Sequence, residues 1–179
     1  MKTINGISKY RQAALLAACA LLSVALAGCP GTLGYSNKTL FPQDVASVRV
    51  EMFENQTFWR GIEYDLTDAL AKRIEAQTPY KIVTSIDRAD TVISGQILRI
   101  SEAGLSIERE LGSVLEKEVE IVAVVNWKNL KTGELLVENQ QVTATASYTP
   151  RLSQDFKYAS ARAANILARR IVESMETRW

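Results

Sequence analysis

One residue set in this sequence carries an obvious covalent chemistry: Leu26-Ala27-Gly28-Cys29. A thiol placed directly after small residues, at the end of a short apolar run, is the arrangement in which bacterial processing acylates the cysteine and cleaves before it. The flanks agree. Lys2, Lys9 and Arg11 supply positive charge, no acidic residue precedes Cys29, and Ala13 to Ala27 is apolar apart from Ser23. Such a run fits a signal core and is short for a spanning helix. Residues 1–28 therefore read as a lipoprotein signal peptide, and Cys29 as the lipidation site.

Other reactive chemistry is scarce. The chain has no histidine, which removes the usual general base, Ser–His and Cys–His nucleophiles and most zinc sites. Cys19 leaves with the signal and Cys29 is consumed by lipid, so no thiol pair remains for a disulfide. Glu63, Asp65 and Asp68 lie close together, but their spacing suits the solvated face of a helix better than a catalytic carboxylate pair. No glycine-rich phosphate loop or metal-ligand spacing is present. The sequence gives no reason to expect an enzyme, a cofactor or a metal.

Charge excludes a further class. Removing Lys2, Lys9 and Arg11 from 21 basic residues leaves 18 against 20 acidic ones, a net charge of −2 from Cys29 onward. No strong positive field results, so nucleic acid is not an expected partner. The 151 residues from Cys29 suffice for one domain with a substantial core.

Residues 29–43 read as a tether, because Pro30, Gly31, Gly34, Asn37 and Pro42 disfavour regular structure; a single domain spans 44–179. In Ser47 to Phe53, Val48, Val50 and Met52 alternate with Arg49 and Glu51, predicting a half-buried strand. Glu54 to Thr57 reads as a turn, with Asn55 or Thr57 capping a helix that runs to about Gln77. Ile62, Leu66, Ala69, Leu70 and Ile74 form its apolar stripe, and Pro79 ends it. Tyr80 to Thr84 predicts a short edge strand, and Thr91 to Ile100 a strand in which Gly95 marks a bulge or a close backbone approach. Glu116 to Trp127 and Glu134 to Tyr148 predict a hairpin around Asn129 to Gly133. Ser153 is the expected cap of a last helix reaching about Met175, whose many alanines allow it to lie close to a sheet.

The expected fold is α+β: a four-stranded, mainly antiparallel sheet with two helices packed on one face, in the order strand, helix, strands, helix. On the far face Val122 and Val124 would oppose Ile121 and Ala123, and Leu98 and Ile100 would oppose Ile97 and Ile93. That strip either awaits a partner or an acyl chain, or is the ordinary β-branched content of exposed strands.

Several residues in order resemble a known family. These are Gly34-Tyr35 after the cysteine, Leu40-Phe41-Pro42, the Val48/Val50 strand, Glu54-Asn55-Gln56-Thr57-Phe58, Leu66-Thr67-Asp68-Ala69-Leu70, and Ala89-Asp90 before the Gly95 strand. The set is similar to that of the LptE family of lipopolysaccharide-assembly lipoproteins, over roughly Gly34 to Met175. The resemblance implies a lipid-anchored protein on the periplasmic side of the outer membrane. Such a protein plugs the LptD-like β-barrel translocon, assists its assembly and binds lipopolysaccharide. It also implies ligand-facing cations near the loops between strands. Lys128 and Lys131 match best, with Arg99 and Arg109 around the preceding loop. The alternative is a periplasm-facing lipoprotein that regulates another envelope protein, such as a cell-wall synthase or a secretion component. Arg162, Arg169, Arg170 and Arg178 form another basic set near the final helix, and Trp179 stands at the terminus; both read either as solvated surface or as partner contact.

Overall fold

The computed structural model describes residues 40–107 and 114–176. Cys29, Gly34, Tyr35, Arg109, Arg178 and Trp179 lie outside the described residues, as do the signal and most of the segment read as tether.

The chain forms β1 (Ser47–Val50), β2 (Glu54–Asn55), α1 (Ile62–Gln77), β3 (Lys81–Ile82), β4 (Thr91–Ile107), β5 (Val114–Asn129), β6 (Leu135–Tyr148) and α2 (Phe156–Ser174). The α+β class holds, with two helices. The sheet differs from expectation: it has six strands and is mixed, in the order β3-β1-β4-β5-β6, with β2 also paired to β4. β1 runs parallel to both β3 and β4, and β2 runs parallel to β4. Only β4, β5 and β6 form an antiparallel meander. β3 is the short edge strand expected within Tyr80 to Thr84, reduced to two residues, whereas β2, also two residues long, is too short to leave an alternation in the sequence.

The meander is long because its strands alternate for many residues. Val119, Ile121, Ala123, Val125 and Trp127 of β5 point to one face and are buried, as are Val142, Ala144, Ala146 and Tyr148 of β6. The helices cover this face. α1 contributes Ile62, Leu66, Ala69, Leu70 and Ile74. α2 contributes Ala159, Ala163, Ala164, Leu167, Ala168 and Ile171, whose small side chains allow close packing. The helices start at the same end of the molecule, where Trp59 stacks on Phe156 at 3.9 Å between ring centroids.

Both helix starts differ from the expected caps. Asp155, not Ser153, caps α2, its carboxylate accepting from the Tyr158 N–H at 2.8 Å. Ser153 instead takes a left-handed conformation that ends a short 3₁₀ turn, Pro150–Leu152. α1 begins after Gly61 at φ 97°, with no side-chain cap. Asn55 and Thr57 build the loop before it: the Asn55 amide donates to the Trp59 carbonyl at 2.6 Å and to Glu63 at 2.7 Å. Burial works against ionising Glu63, but the Asn55 amide and the Gly61 N–H outweigh it and hold its carboxyl below the ordinary value.

Two irregularities decide which side chains reach the core. Ile97 pairs with Ala123 and Arg99 with Val122, leaving Leu98 as the extra residue of a bulge. The bulge shifts the alternation, so Ile100, expected on the far face, joins Ile93 and Ile97 in the core. On β6, Glu138 and Asn139 stand opposite Asn126 alone. Asn139 adopts φ 44°, and its N–H donates to the Asn126 side chain at 2.7 Å.

The far face carries less apolar surface than expected. Val122 is shaded to 5% exposure, and its cross-strand neighbours are Arg99 and Thr143. Leu98 is the exposed apolar residue of that group, at 40%.

Gly95 sits at a close approach, as its place in the strand suggests. A methyl group there would meet the Phe53 ring and lie 2.6 Å from the Val124 carbonyl oxygen. Phe53 is itself 2% exposed and fills the space a side chain would take. Gly95→Ala is therefore expected to destabilise the fold by about 1–3 kcal/mol, measured by urea unfolding; unchanged stability would refute this packing account.

Candidate functional site

The candidate cations stand near the strand ends, so their partners decide what each is free to do. Lys131 follows β5 in the turn to β6. Asn129 organises that turn: its side-chain oxygen accepts the N–H groups of Lys131 (2.9 Å) and Thr132 (3.2 Å), and Gly133 closes it at φ 78°. The turn leads the Lys131 ammonium to 2.6 Å from the Asp90 carboxylate.

Asp90 is a junction. Its other carboxylate oxygen accepts from the backbone N–H of Ala46 (3.0 Å) and Ser47 (2.9 Å) and from the Ser47 hydroxyl (3.0 Å). The Asp90 carbonyl accepts the Leu130 N–H at 2.8 Å. The start of β1, the start of β4 and the β5–β6 turn thus meet on one residue. The Lys131 ammonium, then the Ala46 and Ser47 donors, hold the Asp90 carboxyl well below the usual carboxylate range, against a smaller opposing effect of burial. Lys131 therefore has a structural partner in this structure, although its side chain remains 69% exposed.

Arg99 also has a partner. Its guanidinium lies 2.9 Å from Glu120 across the β4–β5 pair. It stands on the far face about 20 Å along β4 from the Lys128 row, at about 3.3 Å per residue, so these cations do not form one cluster.

Lys128 is different. It is exposed on the far face and has no ion-pair or hydrogen-bond partner among the described residues. Its cross-strand neighbour is Val92, and the neighbour of Val92 on the other side is Arg49. The row Arg49–Val92–Lys128 crosses three adjacent strands, and strands spaced about 4.8 Å apart put the two cationic positions about 10 Å from each other. Val92 between them is 9% exposed. Among the described residues Arg49 has only a weak ionic neighbour, Glu51 at 4.0 Å. Two cations flanking an aliphatic floor suit an anion with two negative groups, or an anionic head on an apolar body.

Sequence reasoning missed Arg49 as a member of this row. Its place on the polar side of β1 was legible, but its alignment with Lys128 depends on the parallel register of β1 and β4. The register is set from the Asp90 junction, which joins residues far apart in sequence.

The remaining sequence candidates scatter. Arg162 lies 5.6 Å over the Tyr158 ring, Arg169 pairs with Glu173 at 3.5 Å, and Arg170 donates to the Thr143 carbonyl on the edge of β6. Asp65 and Asp68 line an open groove between the helices with Lys72 and Arg73, and Asp68 pairs with Lys72 at 2.7 Å. Beyond the start of α2, the Tyr148 hydroxyl donates to Glu102, which Lys117 approaches at 3.4 Å. Burial first, and Glu102 next, push the Tyr148 phenol up to about 12.

Comparison with known proteins places this arrangement in context. The family model described as "LptE: Lipopolysaccharide-assembly" matches residues 45–175. No curated protein sequence matches. Among solved structures, the hypothetical protein CT253 from Chlamydia trachomatis aligns with a TM-score of 0.51 at 10% identity, over 72% of this chain and 94% of that one. The uncharacterized lipoprotein B from Nitrosomonas europaea aligns at 0.50 and 15%, over 74% and 81%. At these identities the likeness is one of fold.

The Asp90 junction has a pH consequence. A carboxyl held below its unfolded value stabilises the fold above that value, about 3.9 for aspartate, and loses the contribution as the pH falls through its folded value. Asp90→Asn should lower the thermal midpoint by a constant amount between pH 8 and 5, and the difference from the parent should shrink below about pH 4. A difference that does not change with acidity would contradict the assigned ionisation.

Proposed function

Because the chain belongs to the LptE lipopolysaccharide-assembly family, we propose that it serves lipopolysaccharide delivery as a lipid-anchored plug of an LptD-like outer-membrane β-barrel, on the periplasmic side. It acts by contact, without bond-making chemistry. Acylation of Cys29 supplies the anchor. The Arg49–Val92–Lys128 row supplies the contact with the negatively charged head of the glycolipid.

The observation that carries this reading is the ammonium of Lys128, without a partner among the described residues, one strand from Val92 and two from Arg49. Phosphate and carboxylate groups pair with such cations through charge-assisted hydrogen bonds. Lys131 and Arg99 play a lesser part, since Asp90 and Glu120 occupy them. The alternative role, regulation of another envelope protein, would use surface elsewhere and would not require a free cation on this row.

Lys128→Glu combined with Arg49→Glu is expected to weaken binding to immobilised lipopolysaccharide by at least tenfold, measured at fixed ionic strength, with the chain still folded by its melting transition, because Lys128 is exposed and Arg49 is half-buried outside the core. Unchanged affinity would remove the row from the site. A separate experiment tests the partner: affinity purification from detergent-solubilised outer membrane should recover a large β-barrel protein in stoichiometric amount. Recovery of soluble cell-wall enzymes alone would favour the alternative role.

A further inference from the structure

The two edges of the sheet are not alike. β3 closes one side with two residues, close to Pro79 and including Lys81. β6 closes the other with fourteen, and among the described residues no strand lies beyond it. Long open edges are normally guarded by charge or proline. The ten residues from Gln140 to Thr149 hold neither. The stretch is bounded only at its ends, by the bulge at Glu138 and Asn139 and by Pro150.

Backbone direction decides what this window offers. Val142, Ala144 and Ala146 turn their backbone groups to β5, so the alternate residues Gln141, Thr143, Thr145 and Ser147 turn theirs outward. Two of the outward carbonyls have partners within the chain: that of Thr143 accepts from Arg170, and that of Gln141 from the Gln140 side chain at 3.2 Å. The four outward N–H groups, and the carbonyls of Thr145 and Ser147, have none among the described residues. Donors that repeat at every second residue over about 20 Å match the carbonyls of another extended backbone. Charge sets the side chains of that backbone. Arg170 stands beside the middle of the window. Below it, Glu138 and Glu176 line one cleft between the start of β6 and the end of α2, and no cation is among the lining residues. A second copy of this chain fits poorly, because antiparallel pairing centred on Ala144 would bring both Arg170 side chains to the same short stretch of edge, like charge on like.

We propose that the outer edge of β6 binds an extended segment of another protein as an added antiparallel strand, with a carboxylate of the segment on Arg170 and a lysine or arginine of the segment at Glu138 and Glu176. Main-chain hydrogen bonds supply the affinity, and the two charges fix direction and register. The Thr143 carbonyl that Arg170 releases takes an N–H of the added strand. In this alignment the acidic residue precedes the basic one by about four positions, which keeps both on one face. The edge shares no residue with the Arg49–Lys128 row, and either stands if the other fails.

The test titrates the full chain, in a mild detergent, with a fluorescent, end-capped nine-residue peptide of alternating threonine and valine, with glutamate at its third position and lysine at its seventh. Anisotropy reads binding, and amide hydrogen exchange reads pairing. One-to-one saturation is expected, with exchange at Gln141, Thr143, Thr145 and Ser147 slowed at least tenfold. Thr145→Pro removes an outward N–H, a change that an edge strand tolerates, and should weaken binding at least tenfold while the melting temperature confirms a folded chain. Exchanging the glutamate and lysine of the peptide should weaken binding about tenfold, and Arg170→Gln should remove the preference for glutamate over glutamine. If Thr145→Pro does not fold, the exchange of charges decides. No binding, or binding indifferent to Thr145→Pro and to the exchange of charges, overturns the proposal. It is also overturned if the four amides are already slow in the peptide-free chain; loss of that protection on dilution would assign the edge to a second copy.

Discussion

Asp90 ties three segments that the chain visits at widely separated times: the entry to β1, the entry to β4 and the turn between β5 and β6. Its carboxylate takes the Ala46 and Ser47 N–H groups on one oxygen and the Lys131 ammonium on the other. Without that carboxylate, two backbone donors at the start of β1 would lose their acceptor, and β1 would be held to β4 by a ladder of only three residue pairs. A slip of one residue in so short a ladder turns every side chain of the strand to the other face. Val48 would leave the core and Arg49 would enter it. The ionic junction thus fixes a register, and the register fixes which cations share a surface.

The same logic makes the proposed contact site a property of the sheet and not of any loop. Arg49 and Lys128 are held on strands, one of them in the centre of the meander, so their separation does not depend on side-chain ordering in a turn. Sites carried by regular elements hold their geometry better than sites carried by loops. Lys131, the more conspicuous residue at the loop tip, serves differently, because its charge completes the junction that sets the row. The bulge at Leu98 has a comparable effect further along β4. It returns Ile100 to the core and leaves Arg99 outside to meet Glu120.

Much of this architecture was legible in the sequence because its periods are long. The stripes of α1 and α2, the alternation of β5 and β6, the Asn129–Gly133 turn and the close approach at Gly95 all follow from local pattern. What escaped has physical causes. β2 has two residues and is a strand only because a neighbour pairs with it. The bulges at Leu98 and Asn139 are single-residue phase changes that look like continued alternation. Gly61 starts α1 through backbone conformation alone, while Asn55 and Thr57, good capping types, are used to hold the loop. The site was half legible: Lys128 follows from its position beside a turn, whereas the partnership of Lys131 with Asp90 and the alignment of Arg49 are long-range facts that no local pattern carries.

The most direct examination of the central claim is a residue-resolved nuclear magnetic resonance titration of the protein with a soluble, phosphorylated lipopolysaccharide fragment. The account predicts that the largest amide shifts fall on Arg49, Val92 and Lys128 and their strand neighbours, saturating together. Shifts concentrated instead in the groove between α1 and α2, or around Glu102, Lys117 and Tyr148, with this row unmoved, would contradict it.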